Sequence, residues 1–549
     1  MKLTGAQIVI ECLKEQGVDT IFGYPGAATI NIYDELYKNA QFIQHILTSH
    51  EQGAAHAADG YSRSSNRVGV CIATSGPGAT NLVTGIATAY MDSIPMVAIT
   101  GNVDMNKLGK DSFQEVDILG ITMPITKHNF MIKDVNDLAP AMREAFLIAK
   151  SGRPGPVLID IPKNITSELT EYIRKEPVQA KRVESQMNEK VLELITNAKR
   201  PMIYAGGGVK LARASEELIA FAEMISAPVA CSLMSIGSIP TDHQLYTGMV
   251  GMHGSMVSNN AFNMCDLLIC IGARFSDRAV GNDKNFVKNG KIIHFDVDPA
   301  EINKNILVDE CIIGDIKNTL IMLMDHLTSQ KHEDWLEQID ELKTQYEITY
   351  ETDKINVPYL LKRIGEHASE EDIITTDVGQ HQMWTAQHYP FKKPYKFLTS
   401  GGLGTMGYGL GAAVGAQFAN KDNRIIMITG DGSFKMNFNE IVTSVRHRLP
   451  IKIFLMNNHT LGMVRQWQDL FYDQRFAATT LEDDIDYVQF ARSLGGEGYT
   501  IDSINDIDSV IEAAFSNDKL CLIHCNVPQS KFVYPMVPPG KAIHEAIWE

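Results

Sequence analysis

Ile425-Ile426-Met427-Ile428-Thr429-Gly430-Asp431-Gly432-Ser433 is an apolar, β-branched run that stops at Gly-Asp-Gly and then turns polar. A run of this length, bounded by turn residues, predicts a strand covered on both faces. The glycines predict a tight strand-to-helix turn with Asp431 at the mouth of the sheet. Working outward, the same unit recurs along the chain. Strands are expected at 42–47, 68–73, 96–100 and 157–161, then at 202–204, 267–271 and 292–297, then at 373–376, 425–429 and 451–456. Helical stretches such as 138–149 lie between them. This alternation predicts an α/β fold of three doubly wound, parallel-sheet domains. Their expected limits are 1–165, 190–325 and 357–527, followed by a tail at 528–549. The polar stretch 166–188 reads as a connection, and the charged stretch 327–352 as an exposed helical linker.

The 549 residues are 44% hydrophobic and 21% charged, which excludes a disordered or fibrous chain. Lys plus Arg is 49 against 66 for Asp plus Glu, a net charge of −17, so nucleic acid and anionic membrane surfaces are disfavoured as partners. No run of about 18 apolar residues predicts a membrane span. Met1-Lys2-Leu3-Thr4-Gly5 lacks the apolar region of a signal peptide. Eight cysteines without a CxxC pair predict buried, reduced thiols and a reducing compartment, most simply the cytoplasm.

In open α/β sheets, ligands bind beyond the carboxyl ends of the strands. Strand 451–456 ends in Asn457-Asn458. If this end adjoins that of 425–429, Asp431 offers a carboxylate and Asn458 an amide oxygen, hard ligands that suit Mg²⁺ bridging to phosphates. Gly430 and Gly432 would let backbone N–H groups approach an anion at a helix start. Gly-Asp-Gly by itself is only a turn with an Asp N-cap; the second strand end gives it chemical meaning. His50-Glu51-Gln52-Gly53-Ala54-Ala55-His56 likewise puts a carboxylate at a sheet mouth. The small residues of 54–62 would let an aromatic heterocycle come close, whereas the bland reading is a surface Glu capping a helix.

Paired in this way, the two constellations resemble those of thiamine diphosphate (ThDP) enzymes. The resemblance implies that Glu51 hydrogen-bonds the cofactor's pyrimidine ring as the proton-relay catalytic residue. It implies Mg²⁺ held by Asp431, Asn458 and the backbone carbonyl of Thr460. Gly379, Gln380, His381, Gly404, Met406, Gly430, Asp431, Gly432, Ser433 and Asn458 would complete the ThDP site. Met406 would prop the two rings into their bent shape.

Over essentially the whole chain the sequence resembles the catalytic subunits of the acetolactate synthase (acetohydroxyacid synthase) family. Tyr24-Pro25-Gly26, Thr74-Ser75-Gly76-Pro77-Gly78-Ala79-Thr80-Asn81, Phe113-Gln114-Glu115, Ser151-Gly152-Arg153-Pro154-Gly155-Pro156-Val157 and Gly462-Met463-Val464-Arg465-Gln466-Trp467 carry that likeness. It implies decarboxylation of pyruvate and condensation with a second pyruvate, giving 2-acetolactate, or with 2-ketobutyrate, giving 2-aceto-2-hydroxybutyrate. These are steps of isoleucine, valine and leucine biosynthesis. Gln114, Met463 and Trp467 would touch substrate, with Trp467 favouring the extra methylene of 2-ketobutyrate. Periodicity alone makes Met463 and Trp467 one helix face at i and i+4.

Gly206-Gly207-Gly208, Gly251-Met252-His253-Gly254, Gly272-Ala273-Arg274-Phe275-Ser276-Asp277-Arg278, Asp296-Val297-Asp298 and Gly314-Asp315 resemble the FAD-binding set of the biosynthetic enzymes. The implied FAD residues are Arg153, Gly206, Gly207, Gly208, Met252, His253, Gly272, Arg274, Arg278, Asp296 and Asp315. Guanidinium groups suit the diphosphate. The family also implies a homodimer or homotetramer with active sites between subunits, and a possible separate regulatory subunit. Pyruvate oxidase, or another ThDP- and FAD-dependent 2-ketoacid enzyme, is the alternative. Glu51 argues against carboligases that lack the relay carboxylate, and against a binding protein without catalysis.

Overall fold

The computed structural model describes residues 1–548. Three six-stranded sheets follow one another along the chain, and every pairing within them is parallel. In spatial order the first comprises Gln44–Leu47, Thr20–Gly23, Gly69–Ala73, Met96–Asn102, Pro156–Pro162 and His128–Met131. The second comprises Tyr246–Met249, Val229–Cys231, Pro201–Ala205, Leu267–Ile271, Lys291–Asp296 and Glu310–Ile313. The third comprises Phe397–Leu398, Ile373–Thr376, Ile425–Gly430, Lys452–Asn457, Cys521–Asn526 and Glu497–Ile501. The doubly wound α/β reading therefore holds. Sequence reading placed ten of the eighteen sheet strands; besides the other eight it missed the pair Lys2–Thr4 and Leu169–Glu171, antiparallel, which ties the start of the chain to the exit of the first sheet.

Alternation within the deciding strand explains its composition. Ile426 and Ile428 enter one core, shared with the second sheet through residues such as Tyr389 and Phe391. Ile425 and Met427 enter another, which also holds Ala54, Ala55, Ala57 and Ala58 of the first block. A strand buried on both faces has no polar side, hence the unbroken apolar run.

The Glu51–Ser65 helix crosses the Tyr408–Ala419 helix at backbone distance. A Cβ on Gly60 would lie 2.2 Å from the Ala412 carbonyl oxygen, and one on Gly415 would lie 1.8 Å from that of Ala57. The small residues of 54–62 thus serve a helix–helix crossing, which spacing within one segment does not disclose. We expect Gly415→Leu to force the two helices apart and lower the thermal midpoint by several degrees, read by circular dichroism.

The 327–352 segment needs a correction. It contains the Glu333–Gln345 helix, but Trp335 and Ile339 are buried, and the Trp335 indole N–H donates to the Pro201 carbonyl at 2.9 Å. The segment is one more layer on the second sheet. All eight cysteines are free and seven are buried. Among the described residues no helix is long and apolar enough to cross a membrane.

Candidate active site

Ile425–Gly430 and Lys452–Asn457 are neighbours with Gly430 opposite Met456, so the two strand ends do adjoin. Asp431 is the first residue of the Asp431–Asn437 helix, and Gly430 occupies the cap position. The Asp N-cap reading therefore fails. Asp431 is 3% exposed, and burial pushes its carboxyl up to about 6. Among the described residues it has no ion-pair partner, so its carboxylate is a group that a cation would suit. Asn458 is buried beside it, and its Oδ1 accepts the Thr460 N–H at 3.2 Å. Asn457 points elsewhere, its amide reaching the ring nitrogens of His524 at 2.9 Å and His459 at 3.3 Å. Among the described residues, no group of three or more His, Cys, Asp and Glu could hold a metal. One carboxylate with amide and carbonyl oxygens is a set that suits Mg²⁺ rather than zinc.

Next to this set, His381 is buried and its Nε2 has no hydrogen-bond partner. Burial pulls its pKa down to about 3, so the ring is neutral and one nitrogen carries a proton without charge. A Cβ on Gly430 would lie 2.9 Å from His381 Nδ1, so only glycine lets the ring sit there. The Ser433 hydroxyl donates to the Val378 carbonyl at 2.8 Å and ties the Gly379 loop to the Asp431 helix. Gly379 and Gly404 have φ of 153° and 67°, values that L side chains avoid. A Cβ on Gly432 would come within 3.9 Å of the Met406 methyl, which places Met406 over this turn. The Gln380 amide is spent on other side chains and on the C-terminal tail.

Glu51 begins its helix, half-buried, after His50, whose Nδ1 accepts the Gln52 N–H at 3.1 Å. Asn81 Nδ2 donates to Glu51 Oε2 at 2.9 Å, and a Cβ on Gly78 would lie 3.3 Å from Oε1. Sequence reading gave neither partner a role. It also missed Glu440. This fully buried carboxylate accepts the Ser49 N–H at 3.1 Å, the His50 N–H at 3.0 Å and the Thr443 hydroxyl at 2.6 Å. A side chain of the third block thus fixes the entry to Glu51, across 390 positions that no local pattern spans. Gln114 takes a left-handed φ of 61° and packs over Gly76, on the same side of the first block.

A cavity of about 1190 Å³ runs between the blocks. Its lining includes Val378, Gly379, Gly404, Met406, Met463 and Trp467 of the third block, Gly207, Gly208, Gly272, Arg274, Asp296 and Asp315 of the second, and Arg153, Met252, His253 and Arg278. Glu51, Asp431 and Asn458 are not on its wall. Met463 and Trp467 share the lining face of the Gly462–Phe471 helix, and Trp467 stacks edge-on against Phe471.

Parts of the proposed FAD set are also explained by packing. A Cβ on Gly206 would lie 2.1 Å from the Gly272 carbonyl, and one on Gly208 would lie 2.7 Å from the Gly272 Cα. Two loops cross there, and their glycines are needed whatever fills the cavity. Arg153 lines the cavity, yet its guanidinium donates to Glu301 at 2.7 Å and to Ser93 at 2.8 Å. Its charge is already met within the chain. Arg278 is exposed, 3.7 Å from both Met252 Sδ and Asp277. Asp315 caps the Ile316–Met324 helix and faces Arg182. His253 lies under the tail, its Nδ1 3.1 Å from the Pro535 carbonyl. The cavity's volume, glycine walls and remaining Arg274 fit a dinucleotide such as FAD.

Three parallel sheets with a buried Asp at one strand-to-helix turn agree with a thiamine pyrophosphate enzyme, and the family comparison shows that class. The chain matches the family models for the N-terminal TPP binding domain over residues 3–121, the central domain over 188–323, and the C-terminal TPP binding domain over 377–525. It belongs to the acetolactate synthase large-subunit family. It is 43% identical to the acetolactate synthase isozyme 2 large subunit of Escherichia coli (strain K12), covering 99% of both chains. It is 45% identical to the acetolactate synthase large subunit of Cyanidium caldarium over 98% of this chain and 96% of that one. A probable acetolactate synthase large subunit of Methanocaldococcus jannaschii is 46% identical over 98% and 94%.

Proposed function

We propose that this chain is the catalytic subunit of an acetolactate synthase, joining the two-carbon remainder of pyruvate to a second pyruvate or to 2-ketobutyrate. One observation carries the reading: Met463 and Trp467 line the same cavity as Gly379, Gly404 and Met406, in the block whose adjoining strand ends carry Asp431 and Asn458. When bound, ThDP supplies the carbon nucleophile and electron sink for loss of CO₂. Asp431, Asn458 and the Thr460 carbonyl would hold the Mg²⁺, with the buried, unpartnered Nε2 of His381 beside them. Glu51 holds or releases a proton at Oε1 while Asn81 fixes Oε2. Met463 and Trp467 exclude water and offer an apolar wall to the acceptor's alkyl group.

We assign FAD to the part of the cavity lined by Gly207, Gly208, Gly272 and Arg274, where Arg274 would suit its diphosphate. The 1–165 and 357–527 blocks are the pyrimidine and diphosphate domains, and 190–325 is the flavin domain. The active unit is a homodimer in which Glu51 meets the Asp431 pocket of a second copy. Exposed apolar side chains support this: Phe113, Met123, Met436 and Leu403 are exposed at 87%, 69%, 61% and 43%. The name large subunit borne by the relatives supports a smaller regulatory partner.

Purified protein given ThDP, Mg²⁺, FAD, pyruvate and 2-ketobutyrate should form both acetohydroxy acids. Acetate or acetyl phosphate with flavin reduction would reassign it as an oxidase. Trp467→Leu should lower the preference for 2-ketobutyrate by about tenfold or more, because one methylene in an apolar pocket is worth about 1–3 kcal/mol. The product ratio under competing acceptors measures it, and an unchanged ratio removes Trp467 from the acceptor site.

A further inference from the structure

Three side-chain amides and one backbone residue form a continuous chain behind the metal pocket. Gln466, fully buried, grips Val533 of the C-terminal tail: its Oε1 accepts the Val533 N–H at 3.0 Å, and its Nε2 donates to the Val533 carbonyl at 2.9 Å. The same Oε1 accepts from Gln380 Nε2 at 3.0 Å, which also donates to the Lys531 carbonyl at 3.3 Å. Gln380 Oε1 then faces Asn458 Nδ2 at 3.4 Å, the longest link.

The chain has a fixed polarity. A backbone N–H only donates and a backbone carbonyl only accepts, so Val533 settles which end of Gln466 is oxygen. Turning Gln380 over would set its oxygen against Gln466 Oε1 and the Lys531 carbonyl, two acceptors against an acceptor. Gln380 must therefore show oxygen to Asn458, and Asn458 must answer with its NH₂. Its Oδ1, which also accepts the Thr460 N–H at 3.2 Å, is left on the far side. We propose that Gln380 and Gln466 are positioning residues that, together with the Thr460 N–H, fix which atom of Asn458 faces the cation, with the docked 531–533 segment setting their polarity. Gly462 is part of the device: a Cβ there would lie 2.0 Å from Gln380 Oε1 and 2.9 Å from Asn458 Nδ2.

This rests on the Mg²⁺ assignment above, and the test separates the two. Full-length protein is freed of divalent cations and titrated with Mg²⁺ at saturating ThDP, with tryptophan fluorescence and retained ThDP as readouts. An Asp431→Ala control that binds Mg²⁺ like the parent ends the metal assignment itself. With that control passed, Gln466→Met should weaken Mg²⁺ by about tenfold or more, as loss of a ligand-orienting partner does. Turnover should recover at high Mg²⁺. Gln380→Leu should weaken Mg²⁺ similarly while leaving the tail as protease-resistant as in the parent, because the Gln466–Val533 clamp survives. The double variant should be no weaker than the weaker single. In an Asn458→Asp background, where both ends present oxygen, Gln466→Met should bring no further loss. Unchanged Mg²⁺ affinity in Gln466→Met, or an equal loss with the Asn458→Asp change present, overturns the proposal.

Discussion

Glu51→Gln will lower acetolactate formation by about 10²–10⁴-fold, the usual worth of a positioned general acid–base group. The substitution keeps the shape and keeps an oxygen for Asn81 Nδ2, which now sits 2.9 Å from Glu51 Oε2. The Glu440 contacts with the backbone of Ser49 and His50 lie upstream and are untouched. Only the ability to carry a proton is lost. ThDP affinity, followed by fluorescence quenching, should change far less than turnover, and the thermal midpoint should stay near that of the parent. A Glu51→Gln enzyme that turns over pyruvate at the parent rate would remove Glu51 from the chemistry.

Arg63→Met will destabilise the protein by about 3–5 kcal/mol, the cost of breaking a buried ion pair from one side. Arg63 donates to Asp59 at 2.5 Å, to Asp92 at 2.9 Å and to the Thr399 carbonyl at 3.0 Å. Both carboxylates are fully buried. Burial drives the Asp59 pKa up, and Arg63 is the principal group opposing it. Burial also works against the guanidinium charge, but Asp59, Tyr408 and Asp92 outweigh it and hold the Arg63 pKa well above normal. Asp92 further accepts the N–H groups of Gly401 and Gly402, at 3.1 and 2.7 Å, just before Gly404 and Met406. Weaker ThDP binding should therefore accompany the loss, measured by urea unfolding and ThDP titration on one preparation. Adding Asp59→Asn should restore part of the stability, because one stranded charge disappears. A parent-like unfolding midpoint for Arg63→Met would show that the cluster contributes little.

What could be read from the chain alone follows the range over which each signal acts. The Ile425–Gly430 strand and its turn were legible because the apolar run, the turn glycines and Asp431 all lie within nine residues. The pairing of Asp431 with Asn458 was legible because both close consecutive central strands. Glu51 stood out only through family likeness; its supports Asn81 and Glu440 lie 30 and about 390 positions away. Gln466 was quoted in a motif, but its partner Val533 is 67 residues on, in a stretch without periodicity. Trp335 was hidden inside a charged segment whose polar residues dominate the composition, while its indole is buried on the second sheet. Gly206 and Gly208 looked like ligand-approach residues, yet the crossing with Gly272 already requires them.

The crossing of the Glu51–Ser65 and Tyr408–Ala419 helices also bears on synthesis. Tyr408 donates to Asp59 across 349 positions, and the alanine stripe of the earlier helix shares a buried core with Leu410, Ala413 and Val414 of the later one. A ribosome adding about 5–20 residues per second leaves that stripe unburied for roughly 20–70 s. The emerging N-terminal lobe is thus an incomplete unit for most of translation, the stage at which holdase chaperones would matter most to its yield.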